Sequence, residues 1–369
     1  MAPSSFRIAD GSVHVYRLFD VGDAVDLVAA ERNVATSSRL RLEGTQSGAA
    51  IEIPRPPLHV HLGRRTLPLA SGPRDVEARA RVYDYGVVSI HFRLELAPGT
   101  PLDSLVPLSD ELAATPTPRI DALARREAQE LAAALGAALE RPHEWDGFET
   151  YQVIFVRAME EACDARALLT EAPLAELVLG ETSAVPLSEG ERADVLHSRF
   201  SYLADDLAVV DWNCAIVVEP SAVFDIPDLL EFATAQLLEL RYYDALLDRE
   251  LHQIYDELER GHASRNPFTS RHARLRNRTA ALLVELNEMT ERLENAVKII
   301  GDFYLARVYQ GAVRRFRLPA WQDAVLRKQR LLAGVHQLLN DASDTRRAEL
   351  LELTIILLIL WEILFALVR

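Results

Sequence analysis

The chain has 369 residues, 49% of them hydrophobic, and carries a formal charge of −15 at neutral pH. That length suggests two or three domains with cores of their own, and the acidity argues against general nucleic-acid binding, which needs an excess of Lys and Arg. The only cysteines, Cys163 and Cys214, exclude a disulfide framework and a four-cysteine zinc site, and both read as small buried residues.

The N-terminal Met-Ala-Pro-Ser-Ser-Phe-Arg has no apolar run before Asp10, so it does not read as a signal peptide and implies a cytosolic start. Heavy use of Ala, Leu and Arg resembles a GC-rich bacterial genome. Residues 13–18 alternate and predict a strand. Asp20 and Asp23 precede residues 25–30, which read as a helix with an acidic first turn. Residues 37–57, with two glycines and three prolines, read as loop with short strands. A short strand at 58–62 carries His59 and His61 on one face. Two imidazoles suit a metal, but no third ligand lies nearby in sequence. Residues 76–82 and 86–96 form a hairpin through Tyr83-Asp84-Tyr85. A short helix at 102–112 and a linker at 114–118 follow.

Residues 120–140 read as an Ala- and Leu-rich helix, 150–156 as a strand, and 164–179 as a helix interrupted at Pro173. After a loop at 185–191, residues 199–203 and 207–218 form a second hairpin around Ala204-Asp205-Asp206. It repeats the character of the first: aromatic strand, acidic turn, long apolar strand. The expected class is α+β, with two small antiparallel-sheet units at 1–118 and 119–221.

Residues 222–345 then read as a long antiparallel helical hairpin or coiled coil. The first arm, 228–260, places Leu230, Ala233, Leu237, Leu240, Asp244, Leu247, Leu251, Ile254 and Leu258 at heptad spacing. The second, 271–308, does so with Leu275, Thr279, Leu282, Leu286, Met289, Leu293, Ala296, Ile300 and Phe303. A Gly-, Asn- and Pro-containing loop at 261–270 joins them, and each arm spans roughly 50–60 Å. After a hinge at 318–320, Trp321, Val325, Leu332, Val335 and Leu339 continue the spacing, and a turn is expected at 340–345.

The last segment, 346–369, is a hydrophobic helix. Its aliphatic run, including Leu353, Ile356, Leu360, Trp361 and Leu364, is interrupted by Glu352, Thr354 and Glu362. Membrane insertion of the Leu, Ile, Phe and Val residues is worth roughly 6 kcal/mol, and each glutamate costs up to about 3 kcal/mol. The balance allows either a membrane helix or a helix packed in an oligomer. Arg346 and Arg347 hold the bulk of the chain on the cytosolic side in the first case.

Three sets of residues are candidates for a site. Asp205, Asp206, Asp211 and Glu219 can share a face and bind Mg²⁺, although Asp suits a turn in its own right. Trp212 and Asn213 either cap a pocket or pack a strand on a helix. Arg265, Arg271, Arg274, Arg276 and Arg278 place positive charge at the start of a helix, against its dipole, and fit an anionic partner such as phospholipid or RNA. A second basic set is Arg314, Arg315 and Arg317. No Ser-His-Asp order, Walker loop, HExxH or dinucleotide fingerprint occurs, so no catalytic residue and no cofactor are expected.

Residues 206–220, Asp-Leu-Ala-Val-Val-Asp-Trp-Asn-Cys-Ala-Ile-Val-Val-Glu-Pro, resemble a signature of the uncharacterised family of proteins required for meiotic nuclear division. Glu239-Leu240-Arg241-Tyr242-Tyr243-Asp244 resembles that family's next helix. Arg346-Arg347-Ala348-Glu349-Leu350-Leu351-Glu352, running on to Glu362, resembles its tail. The likeness covers roughly 150–369 and marks Asp211, Trp212, Asn213, Glu352 and Glu362. It implies a membrane-bound, non-enzymatic role; eukaryotic members look like mitochondrial supports of translation. The expected function is thus a membrane-associated, homo-oligomeric scaffold. The rivals are an RNA- or ribosome-binding module using the arginine tip and a metal-dependent hydrolase at Asp205–Asp211.

Overall fold

Alternation along β1 (Arg7–Asp20) sends Val13, Val15 and Phe19 to one side and Ser12, His14, Tyr16 and Leu18 to the other, and all are buried. A strand buried on both faces must be central, and β1 is. The computed structural model describes residues 6–34, 37–39, 50–52, 55–113, 118–262, 271–295, 298–300 and 302–368. The expected loop at 261–270 falls almost wholly outside them.

After β1 come β2 (Gly22–Val25), α1 (Leu27–Asn33), β3 (Ser37–Arg39), β4 (Ala50–Glu52), β5 (Leu58–Leu69), β6 (Gly72–Val82), β7 (Val87–Glu95) and β8 (Thr100–Pro101). Next are α2 (Val106–Ala113), α3 (Pro118–Leu135), β9 (Leu139–Pro142), β10 (Glu149–Met159), α4 (Ala165–Glu171), α5 (Leu174–Leu179) and α6 (Glu189–Val195). The chain continues through β11 (Arg199–Phe200), β12 (Leu207–Val210), β13 (Cys214–Val218), α7 (Asp225–His262), α8 (Arg271–Asn295), β14 (Lys298–Ile300), α9 (Phe303–Arg315) and α10 (Leu318–Val368).

The α+β class stands. The strands expected in two separate sheets share one, in the order β11-β12-β13-β10-β1-β7-β6-β5-β3, with β8 also on β1. Among the described strands every pairing is antiparallel except β10 with β13. The join is β1 against β10, ten residue pairs long, so the two stretches complete each other's edges. Small two-stranded pairings link β2 to β9 and β4 to β14.

One face of the sheet is apolar. Val13, Val15, Ala78, Ala80, Ile90, Phe92 and Ile154 pack with Ile120, Ala124, Ala128 and Leu131 of α3 and with Leu174, Leu177 and Val178 of α5. The other face is polar and aromatic and is described below.

Several boundaries differ from expectation for local reasons. The helix expected from residue 25 starts at Leu27, because Asp26 caps it by accepting from the amides of Val28 and Ala29; Val25 stays in a strand and the first turn holds no acid. The long strand at 207–218 breaks at residues 211–213 into β12 and β13. The expected second arm ends at Asn295, because Asp302 starts a new helix by accepting from the Leu305 amide. Phe303, expected on the seam, is 84% exposed. The expected turn at 340–345 does not occur: α10 runs through it, and residues 340–345 contain neither Gly nor Pro to stop a helix.

Among the described glycines, the one in the Tyr83–Gly86 turn has the closest approach to its surroundings. Gly86 has φ +89°, and a Cβ there would meet the Gly22 carbonyl oxygen at 1.5 Å. Its own carbonyl accepts from the Val21 amide at 3.0 Å. Gly86→Ala is therefore expected to lower the unfolding free energy by about 3 kcal/mol, measured from urea midpoints, through strain and displaced strands.

The chain divides into two compact units, residues 1–242 with 292–321, and 243–291 with 322–369. In the first, residues 226–240 of α7 are buried on all sides, from Ile226 through Leu230, Ala233 and Leu237 to Leu240. The second is a bundle of the remaining parts of α7, α8 and α10. Among its described residues, Leu247, Leu251, Ile254, Leu275, Thr279, Leu282, Leu286, Met289, Val325, Leu332, Val335 and Leu339 are buried on the heptad seams, and Tyr243 is buried off them. Lys328 Nζ lies 2.7 Å from both Asp244 Oδ1 and Asp248 Oδ2, so the polar break in the first seam is occupied by an ion pair.

Candidate functional site

Two places stand out, one in each unit. In the first unit, α7 covers a sheet face made of inward-pointing polar side chains. Arg81 of β6 pairs with Asp228 and, at 2.8 Å, with Glu231 of α7. Asp228 and Glu231 are three residues apart, so both face the strand. Arg81 is held well above its ordinary range: the two carboxylates outweigh its desolvation. Burial pushes Glu231 up to about 7, with Arg81 opposing, and pushes Asp228 up as well.

A hydrogen-bonded line leads away from this pair. Ser12 Oγ lies 2.8 Å from His14 Nε2, and His14 Nδ1 lies 2.8 Å from His91 Nε2. His91 stacks on Tyr16, and His14 lies against Phe224. Burial drives both imidazoles well below 6.5, so they are neutral, and Nδ1–H of His14 donating to His91 fits Nε2 accepting from Ser12. The line imitates a nucleophile with its base, but Ser12 is 1% exposed and sealed from any substrate. It fixes ring orientation in the core.

A third polar group sits at the rim of the same unit. His143 lies 2.9 Å from Asp20 Oδ1 and 3.3 Å from Asp23 Oδ1, and stacks on Tyr242 at 4.5 Å. Desolvation lowers its pKa, but the two aspartates win and raise it to about 9. A folded pKa above the unfolded 6.5 stabilises the fold fully below pH 6.5, and that stabilisation is lost as pH rises through 9. With solvent screening of this rim position, the expected size is about 1–2 kcal/mol. His143→Gln should flatten the fall in urea stability between pH 6.5 and 9 relative to the parent chain.

The expected acidic metal cluster is dispersed. Asp206 accepts from the Tyr202 and Leu203 amides at 2.7 and 2.8 Å, holding a turn. Asp211 pairs with Arg315. Glu219 accepts from Ser221, and Asp205 lines an open groove with Glu160, Glu161 and Asp164. Among the described residues no group of three His, Cys, Asp or Glu is placed to hold a metal. His61 lies 3.6 Å from Glu77, while burial lowers His59 to about 3. Trp212, expected to pack on a helix, is 60% exposed in the turn between β12 and β13. The Asn213 carbonyl accepts from the Gln152 amide at 3.0 Å, so the turn is pinned by its backbone.

The expected arginine tip is in part spent. Arg278 donates to Glu250 at 2.7 Å and to Gln253. Arg274 is exposed, and Arg276 has a partner of its own. Arg265 and the Arg271 side chain lie outside the described residues.

The second place is the end of α10. Gln329 meets Asn287 at 2.7 Å and Thr279 meets His336 at 2.8 Å, which fixes an antiparallel register between α10 and α8. Continued along both helices, that register brings the first residue of α8 level with roughly residue 344. About 24 residues of α10, roughly 36 Å, lie beyond it. Leu351, Leu353, Ile355, Ile356, Leu357, Leu358, Ile359, Leu360, Trp361, Ile363 and Leu364 are each 51–71% exposed. Glu352 is exposed among them, and the Glu362 side chain lies outside the described residues. Among the described residues no helix is long and apolar enough to cross a membrane, so the expected transmembrane helix finds no support. The exposure of the apolar run is what the sequence could not show.

The family described as "Uncharacterized protein MJ0711, N-terminal domain" matches residues 10–225. Uncharacterized protein MJ0711 of Methanocaldococcus jannaschii is 24% identical over 180 residues, 48% of this chain and 53% of that protein. The chain thus spans about half the length of the curated relative it matches. No solved structure matches. These findings overturn the expected membership of the meiotic-nuclear-division family: the family that matches is a different one, its match takes in the 206–220 stretch on which the likeness rested, and nothing in them supports a bacterial origin.

Proposed function

The chain belongs to the uncharacterised MJ0711 N-terminal-domain family, and from that premise we propose that it is a non-enzymatic scaffold attached to a lipid surface by the overhanging end of α10. One observation carries this reading: residues 351–361, 363 and 364 are exposed all round the helix. A helix flanking a protein core has one apolar stripe, whereas a helix apolar on every side is suited to full immersion. A single partner helix covers one face and leaves the rest in water. Lipid covers all of them, and burying these side chains is worth on the order of 10 kcal/mol.

The reading requires entry into the apolar layer, not passage through it. The 14 residues from 351 to 364 rise about 21 Å, against about 30 Å of hydrocarbon. Arg346 and Arg347 stand just before the apolar run, where cations meet anionic headgroups. Several copies joining their α10 ends also cover every face, and this is the second reading. Flotation with vesicles of mixed neutral and anionic phospholipid tests the first; a detergent-sensitive assembly without lipid marks the second. RNA binding at the arginine tip is less well supported, because Arg278 is paired with Glu250.

A further inference from the structure

Beneath α7, four buried polar side chains converge with bonding capacity left over. Tyr16, Tyr83, Ser89 and Glu231 are each 2% exposed or less. The Tyr16 hydroxyl has no hydrogen-bond partner among the protein atoms, and the Tyr83 and Ser89 hydroxyls and the Glu231 oxygens make no hydrogen bond of good geometry, although Tyr83 lies within reach of Arg81 and Ser89 within reach of Glu231. Arg81 forms an ion pair with Glu231 at 2.8 Å without meeting hydrogen-bond geometry. The four are neighbours: Ser89 faces Arg81 across β6 and β7, Arg81 meets Glu231 at 2.8 Å, Tyr83 follows Arg81 by two residues, and Tyr16 faces and stacks on His91, two residues along β7 from Ser89.

A buried hydroxyl left unbonded costs about 1–3 kcal/mol, and a carboxylate more. Several in one place exhaust much of the stability of an ordinary domain, about 5–15 kcal/mol. Folded proteins meet such demands with ordered water.

We propose that this cluster is a binding site for ordered water, at least one molecule seated between Glu231 and the hydroxyls of Tyr16, Tyr83 and Ser89. The chemistry fits. A carboxylate accepts, phenol and serine hydroxyls donate or accept, and a water needs about three such partners. An alkali cation fits less well, because Arg81 already occupies the site and Arg79 and Arg93 act on the adjoining His91. An anion is opposed by Asp228 and Glu231. The titratable groups facing the water from the elements around it are Tyr16, Tyr83, His91, Arg79, Arg81, Asp228 and Glu231.

A crystal structure of the full chain at a resolution that orders internal solvent tests this directly. The expected result is a peak within about 2.7–3.2 Å of at least two of the four side chains. Direct pairing of a Tyr16 or Tyr83 hydroxyl with Glu231 and no peak overturns the proposal, as does a cation ringed by oxygens. In solution, oxygen-17 relaxation dispersion counts long-lived internal waters. Ser89→Ala and Tyr16→Phe, made separately, should each lower the count by at least one. An unchanged count in the folded Ser89→Ala chain contradicts the proposal. Should both variants fail to fold, the structure of the parent chain decides.

Discussion

Replacing Ile356 and Leu360 together by Asp in the full chain is expected to abolish its flotation with phospholipid vesicles. On an insertion scale, each exchange replaces a residue worth about −0.5 kcal/mol with one costing up to about 3 kcal/mol near a helix centre. The pair therefore lowers partition by more than a thousandfold (~5 kcal/mol or more). Both side chains are 51% exposed and outside the bundle seam, so the urea midpoint should not move. That separates loss of attachment from loss of fold. If the parent chain instead forms a large lipid-free assembly that the same exchanges dissolve, several copies cover the helix. If the exchanges change neither flotation nor size, the end of α10 is not the attachment.

The second large effect is expected at Arg81. Arg81→Met removes the only cation paired with Asp228 and Glu231 among the contacts described and leaves two carboxylates buried. Stranding one partner of a buried pair typically costs about 3–5 kcal/mol. The cost depends on pH. Glu231 titrates at about 7 even with Arg81 present, against 4.5 for a free side chain. A carboxyl with a raised folded pKa favours the folded state at low pH, and this contribution is lost as pH rises from 4.5 through 7. Without Arg81 both carboxyls are held protonated to higher pH. The variant should therefore be most destabilised near pH 8 and recover toward the parent near pH 5. Urea unfolding at the two values measures this, and an equal deficit at both contradicts the assigned pairing.

The legible parts of the fold were those governed by period. Leu251, Leu286 and Leu332 lie on seven-residue repeats, and these three are buried as heptad spacing requires. Turn chemistry at Tyr83–Gly86 was equally plain. Sheet partnership was not. Whether 13–18 and 150–156 share a sheet depends on which edges complete each other, and alternation within one strand does not encode that. The break after Asn295 was missed because the heptad pattern continued through Ala296 and Ile300, while a single capping Asp302 restarted the helix.

The site was legible in part. The run containing Ile356 and Leu360 was conspicuous by composition, but its exposure on all faces follows from where α8 begins, which no local pattern gives. Arg81, Asp228 and Glu231 were overlooked. Their signal was present: an arginine at an inward strand position, and two acids three apart in an otherwise apolar helix. Trp212 misled, since its backbone turn rather than its ring is what the neighbouring strand holds.

Trp361 gives the most direct test of attachment by α10, because it is 71% exposed within the apolar run. The difference between the emission of the full chain and that of Trp361→Phe isolates its signal. With vesicles, that signal should shift to the blue, become sensitive to quenchers carried on lipid tails, and lose sensitivity to aqueous iodide. A Trp361 signal that stays water-like and iodide-sensitive at saturating lipid contradicts attachment through this helix.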